Sequence, residues 1–232
     1  MTINTTKTYD FNPSLGGLLL TAFRRAQISP TEITQSHLYH GQQAANFILS
    51  EFSALQPNLW EVGLTSFPLL SGQATYSLPS EIVMILDLYL SYGSSPNITD
   101  RYLNPISRSE YASIPNKTDD GFPSQYWFNR LISPTVTFWL VPDDDGPYVA
   151  RYYSVRQTQD ALATGGKTVE VPYRFLEAYT AGLSWKIAEL YAPQLEERLF
   201  ARYQRAWDIA STNDTENVPM YIIPGLSGYY RP

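Results

Sequence analysis

Three short runs in this 232-residue chain carry residue types that could do chemistry. "HLYH" sets His37 and His40 three apart. On a helix that spacing can bring two imidazoles to one metal. The chain has no cysteine and no third histidine, so carboxylates would have to come from afar. An exposed or interfacial histidine pair is the expectation. "GGKT" at residues 165–168 has the ending of a phosphate-binding loop. Such a loop needs a glycine five positions before its last glycine, and Ala161 stands there. It must also open a helix whose N-terminal amides receive the phosphate. Here the strand-like "VEVP" follows, closed by Pro172. A glycine turn between two strands is expected instead. "DDDG" at residues 143–146 has the acidity of a calcium loop but neither its alternating ligands nor its closing Glu. Pro142 and Pro147 flank it, so a hairpin turn is expected. No Gly-x-Ser-x-Gly elbow occurs, and nothing favours any carboxylate pair for glycoside cleavage. The expectation is a chain with no catalytic residue, no metal site and no cofactor.

The elements around these runs fall into four parts: residues 1–58, 59–171, 172–212 and 213–232. The first is helical. Leu15, Leu18, Leu19, Ala22, Phe23 and Ala26 recur at helical intervals. A second helix is expected to start at Ser29, with Pro30 in its first turn and Glu32 completing a capping box. It would run to about Gln56, with Ile33, Ala44, Phe47, Ile48, Phe52 and Leu55 on its apolar face. Gly41 lies inside it, where glycine weakens a helix unless a neighbour comes close.

The second part reads as strands broken by Gly, Pro, Ser and Asn, with one helical turn or two at "SRSEYASI". "SQYWFNRL", "TVTFWLV" and "PYVARYYSV" follow one another across short turns and predict an antiparallel meander with aromatic cross-strand pairs. In the first of them Tyr126, Phe128 and Arg130 share one face, and Gln125, Trp127, Asn129 and Leu131 the other. The third part is two helices with a tight joint at Pro193. Phe175, Leu176, Tyr179, Leu183, Ile187, Leu190 and Tyr191 form one stripe; Leu195, Leu199, Tyr203, Ala206, Trp207 and Ala210 form the next. The expected fold class is therefore α+β. Helices from both ends build a bundle beside a central antiparallel β domain, with an extended C-terminal tail.

That tail has three prolines, two glycines and no periodicity. Met220, Tyr221, Ile222, Ile223, Leu226, Tyr229 and Tyr230 make it too apolar for a solvated end. Extended segments with such side chains are the usual form of a docking peptide, and these seven residues are the candidate partner-binding residues.

Composition bears on the partners. Only 16% of residues are charged, while 44% are hydrophobic and eighteen are tyrosines. Tyrosine offers apolar area with a polar tip, which suits surfaces that meet other surfaces. The net charge is −6, and residues 61–155 alone carry ten acids and five bases. That balance argues against a surface that grips DNA, which needs clustered Lys and Arg. The N-terminus has no signal-peptide pattern and no run reaches membrane-spanning length, so synthesis in the cytoplasm is expected.

The order of "YSLPSEIVMILDLYL", "YLNPISRSEYASIPNK", "GFPSQYWFNR", "TFWLVPDDDGPYVARYYSVRQTQD", "VEVPYRFLEAYTAGLSWKIAELYAP" and "ERLFARYQRAWDIA" resembles the head-to-tail adaptors of short-tailed phages, also called tail tubular protein A or tail accessory factors. The elements in common, such as R-x-E-Y and G-x-P-x-x-Y-W, are turn and packing motifs, and the likeness covers about residues 60–210. It implies a virion structural protein of the tail or neck, made in the bacterial cytoplasm and without catalytic residues. It implies a homo-oligomeric ring, usually a dodecamer, between the portal protein and the tail nozzle protein. Genomic DNA would pass through the ring without sequence-specific binding, and no membrane is involved. A C-terminal extension docks on the portal in some members, which puts the tail of this chain in the matching place. Two other readings stay open. One is another tail subunit, for a tube or for fibre attachment. The other is a carbohydrate-binding or carbohydrate-cleaving β module using exposed Trp and Tyr.

Overall fold

The computed structural model describes residues 7–55, 59–93 and 95–214. Its first helix, α1 (Leu15–Arg25), is capped by Ser14, whose Oγ accepts from the Gly17 N–H at 3.4 Å. The apolar row read from its periodicity is buried throughout. The second helix starts later than its sequence signal. Ser29 and Glu32 close only a turn of 3-10 helix, in which the Ser29 N–H donates to the Glu32 carboxylate at 3.1 Å. Ile33 then turns extended, and α2 (Gln35–Leu55) begins behind Thr34, whose Oγ1 accepts from the His37 N–H at 3.5 Å. Its apolar face also differs from expectation. Ala44, Ile48 and Phe52 are buried together with Ala45 and Leu49, but Phe47 and Leu55 point to solvent and Ile33 lies outside the helix. Gly41 admits a close neighbour: a Cβ there would stand 2.9 Å from Leu19 Cδ2 of α1.

The β region then runs through β1 (Val62–Pro68), β2 (Thr75–Ser77), β3 (Ile82–Tyr92), β4 (Thr99–Tyr102), β5 (Asn104–Pro105), the short helix α3 (Arg108–Ser113), β6 (Asp120–Gly121), β7 (Gln125–Asn129), β8 (Thr135–Trp139), β9 (Val141–Pro142) and β10 (Tyr148–Arg156). The capping box of α3 forms as read: Ser107 Oγ accepts from the Glu110 N–H at 3.1 Å, and the Glu110 carboxylate accepts from the Ser107 N–H at 2.6 Å. The strands make two four-stranded sheets, ordered β1-β10-β3-β4 and β2-β8-β7-β5, and a small β6–β9 pair. The expected three-strand meander is therefore corrected. β7 and β8 pair antiparallel, but β10 leaves them and lies between β1 and β3 in the other sheet. The β5–β7 and β6–β9 pairs are parallel, so the domain is mixed rather than purely antiparallel.

This layering accounts for the aromatic strands. Tyr126 is paired with Phe138 across β7 and β8. Phe138, Tyr76 and Tyr152 are buried with Phe67 among them, their centroids 5.2–6.3 Å apart. Each such aromatic contact adds about 0.5–1.5 kcal/mol beyond the area it buries. On the other face Trp127 stacks on Tyr111 of α3 at 5.3 Å. Burial, Tyr102 and Asp87 push the Tyr126 hydroxyl up to about 12.

After β10 the chain returns to the helices. The "VEVP" run is not a strand. Thr168 makes a single bridge to Ser14, the Leu15 N–H donates to the Lys167 carbonyl at 3.0 Å, and Val169 and Val171 are buried in the helical core. Pro172 leads a 3-10 turn, and α4 (Leu176–Tyr191) follows. This helix is buried on almost every side rather than along one stripe, and α1, α2 and α5 (Glu196–Thr212) pack around it. Leu190, placed on the stripe by spacing, is exposed. At Gly182 a Cβ would meet Ile48 Cδ1 of α2 at 3.0 Å and the Tyr203 ring of α5 at 3.3 Å. Ala192, at φ −146° and ψ 58°, breaks the helix before Pro193 as the sequence required.

The bundle and the β region meet at a polar joint. Glu61 is buried and accepts from Ser53 of α2 at 3.1 Å and from Thr158 after β10. Arg156 at the end of β10 pairs with Glu170, whose Oε2 also accepts from the Gln159 N–H at 3.1 Å. The Arg156 guanidinium holds the Glu170 carboxyl below the usual carboxylate range. Its contribution is therefore complete above the unfolded value of about 4.3 and is lost as pH falls through the lower folded value. Thermal unfolding followed from pH 7 to pH 3 should show a melting temperature level down to about pH 5 and falling below it. Glu170→Gln should flatten part of that fall; an unchanged acid limb would show that the ion pair contributes nothing.

Candidate assembly surfaces

The three runs with chemical potential take structural roles. His37 lies between Phe23 and Tyr191, with ring centroids at 5.9 and 4.4 Å, and its Nδ1 accepts from the Thr34 N–H at 3.2 Å. His40 Nδ1 is 2.5 Å from the Tyr191 hydroxyl. The pair thus ties α2 to the end of α4 and is half-buried. Among the described residues no three His, Asp or Glu gather as a metal site would need. The "GGKT" glycines sit in a 3-10 turn at φ 75° and 64°, a region glycine enters freely, and the turn closes on α1 rather than joining two strands. "DDDG" links β9 to β10 and so connects two sheets instead of closing a hairpin. Asp143 shapes it, accepting from the Asp145 N–H at 3.1 Å and the Tyr148 hydroxyl at 2.6 Å. Burial and then Asp143 push that tyrosine well above its ordinary range.

The prominent surface features are apolar. On α2, Tyr39 and Phe47 lie two turns apart, and Phe47 is 64% exposed. A cleft of about 530 Å³ opens between the C-terminal half of α2 and the β region, lined by Leu49, Ser53, Leu55, Met84, Arg130 and Thr158. It continues past Val83 and Gln157 to the β7–β8 loop, where Ile132 is 95% exposed beside Leu131. A different face carries Phe11 and Tyr173, 69% and 74% exposed, packed edge to face at 6.3 Å. They stand at a groove between α1 and the start of α4 that also includes Gly17, Thr21, Leu18 and Arg174. Sequence reading singled out none of these residues as a site. The available signal was "RLISPT", a short turn that spends two large apolar residues where polar ones would serve.

The seven candidate tail residues, Met220, Tyr221, Ile222, Ile223, Leu226, Tyr229 and Tyr230, lie outside the described residues. The described chain ends at Asp214, which is buried and held by the Arg174 guanidinium. That guanidinium also lies over the rings of Trp60 and Phe175, at 5.6 and 5.7 Å.

One family model, described as SU10 adaptor protein, matches residues 18–222. The match runs from inside α1, through both sheets and α5, to Ile222 in the tail. The chain belongs to the SU10 adaptor protein family. No curated protein matches it. Membership bears out the resemblance to phage head-to-tail adaptors and makes the chain a structural adaptor of a phage virion. The α+β architecture, with helices from both ends around α4, is the fold expected for it. Among the described residues of this adaptor, no helix is long and apolar enough to cross a membrane.

Proposed function

We propose that the chain forms a ring, usually of twelve copies in such adaptors, that joins the portal protein to the tail nozzle protein and extends the DNA channel. The observation that carries this reading is the family match across residues 18–222, which takes in bundle, β region and the beginning of the tail. The rest of the chemistry supports it. A chain with only 16% charged residues and large exposed aromatics on its folded surface suits permanent contacts. A net charge of −6 suits a channel that DNA slides through without sticking. In this reading residues 1–58 and 172–212 form the bundle and residues 59–171 the β domain. Residues 213–232 form the docking tail, with Met220, Tyr221, Ile222, Ile223, Leu226, Tyr229 and Tyr230 engaging the portal. The chain performs no catalysis.

The test is mass measurement by light scattering or native mass spectrometry, on the chain alone and mixed with the portal protein of the same phage. The expected result is a closed complex with the portal, whether or not the free chain assembles. A chain that stays single in both conditions would overturn the reading.

A further inference from the structure

We propose that in the unassembled chain the start of the tail, residues 218–221, lies in the chain's own groove between α1 and α4, and that the portal draws it out. The proposal rests on the reading of the tail as the portal-docking segment and adds its resting site.

The place where the described chain ends is the first argument. Asp214 is held by the Arg174 guanidinium, and Arg174 is itself a wall of the groove. Tyr173, its chain neighbour, is another wall, and Phe11 packs on Tyr173 at 6.3 Å. An extended chain covers at most about 3.6 Å per residue, so Val218 lies within about 14 Å of Asp214 and Tyr221 within about 25 Å. The groove, of about 480 Å³, begins inside that reach. A segment tethered so closely is present at an effective concentration of about millimolar, which a second copy in dilute solution does not match. The tether therefore favours the chain's own tail as the occupant.

The chemistry of the groove agrees. Its charges are already matched, Arg25 with Glu177 at 2.8 Å and Arg174 with Asp214. Lys7 and Asp10, close to Phe11 in the chain, add one charge of each sign. What the groove leaves open is apolar: Phe11 and Tyr173 are exposed beside Leu18 and Leu176. Such a surface takes an uncharged apolar peptide, and residues 217–230 carry no charged side chain. Duplex DNA would instead need bases left over for its phosphates. One donor does lack a partner. Arg25 lines the groove, and its Nη1 is buried with no hydrogen bond among the described residues. An extended peptide brings a carbonyl acceptor with every residue, and Pro219 brings no N–H that would need one. The groove and the portal then compete for the same residues. Many tails in one ring add their contacts on the portal, so the portal wins once ring and portal meet.

The chain has no cysteine, so pairs can be introduced cleanly. Full-length Tyr173→Cys/Met220→Cys is treated at low concentration with a short bismaleimide, beside Ile209→Cys/Met220→Cys as the control. Tyr173 and Ile209 are both exposed, and Ile209 stands on α5 five residues before Asp214, so residue 220 can reach either position. The intrachain link to position 173 should exceed that to position 209 by about tenfold, and adding the portal should bring it down to the control level. Equal intrachain yields at the two positions would overturn the resting site and leave the portal reading of the tail standing. Links formed mainly between chains would also overturn it, since a neighbour's tail would then fill the groove. A link at position 173 that portal binding leaves unchanged would overturn the release. A chain that binds no portal would overturn the ring reading, while the comparison of positions 173 and 209 still decides the groove.

Discussion

Gly182→Leu is expected to lower the melting temperature by about 6–12 °C. The estimate starts from two contacts. A Cβ at this position already stands 3.0 Å from Ile48 Cδ1 and 3.3 Å from the Tyr203 ring. A leucine adds three more carbons in a direction where α2 and α5 both press on α4. Overpacking of that kind costs about 1–3 kcal/mol, and the upper end applies because neither neighbour is free to retreat. Tyr203 is buried and anchored, its hydroxyl donating to Glu51 at 2.9 Å, and Ile48 is enclosed by the helical core. In a chain of this size about 3 kcal/mol corresponds to the stated drop. Gly182→Ala tells the mechanism apart from simple loss of a glycine. Alanine gains about 1 kcal/mol of helix propensity but sets one carbon against both Ile48 and the Tyr203 ring, so the two effects largely offset and stability should change little. Thermal unfolding by circular dichroism measures both; equal melting temperatures for Leu and Gly would show that the helices part freely at this point.

The helical setting of Gly41 was readable in the sequence because helix periodicity is local, and Gly182 follows the same logic. A glycine inside a strong apolar stripe has few reasons to be there, and close approach of a neighbour is the commonest. The same local physics located α1, the α3 capping box and the break at Ala192 and Pro193. It failed where two signals compete. Ser29, Pro30 and Glu32 form a valid helix start, yet they close only one 3-10 turn, and the next cap, Thr34, takes over. It failed again where the answer depends on distant partners. β10 has the alternation of a meander strand, and that alternation is the same whichever sheet receives it. Only the two-layer packing puts β10 between β1 and β3. Phe47 and Ile132 were unreadable as surface residues for a related reason. Hydrophobicity predicts burial in the monomer, and these two side chains are exposed there.

Removing residues 215–232 should leave a stable monomer that no longer joins the portal. The stability half follows from how the described chain closes. Residues 7–214 supply one core around α4 and another between the two main sheets. At the boundary Asp214 keeps its Arg174 partner after truncation, so its buried side-chain carboxylate stays paired. The melting temperature of the shortened chain should therefore stay within a few degrees of the full-length value. The binding half follows from composition. Pro219 and Pro224 bracket Met220, Tyr221, Ile222 and Ile223, and prolines restrict an extended segment so that less entropy is lost when it docks. Each tail needs to bind only weakly, since copies held in one ring add their contacts through effective concentration. Loss of all tails should then abolish the portal complex rather than weaken it slightly, and particles made with the short chain should leak DNA. A truncated chain that unfolds or aggregates would show instead that these eighteen residues cover the chain's own core, and the docking assignment would be wrong.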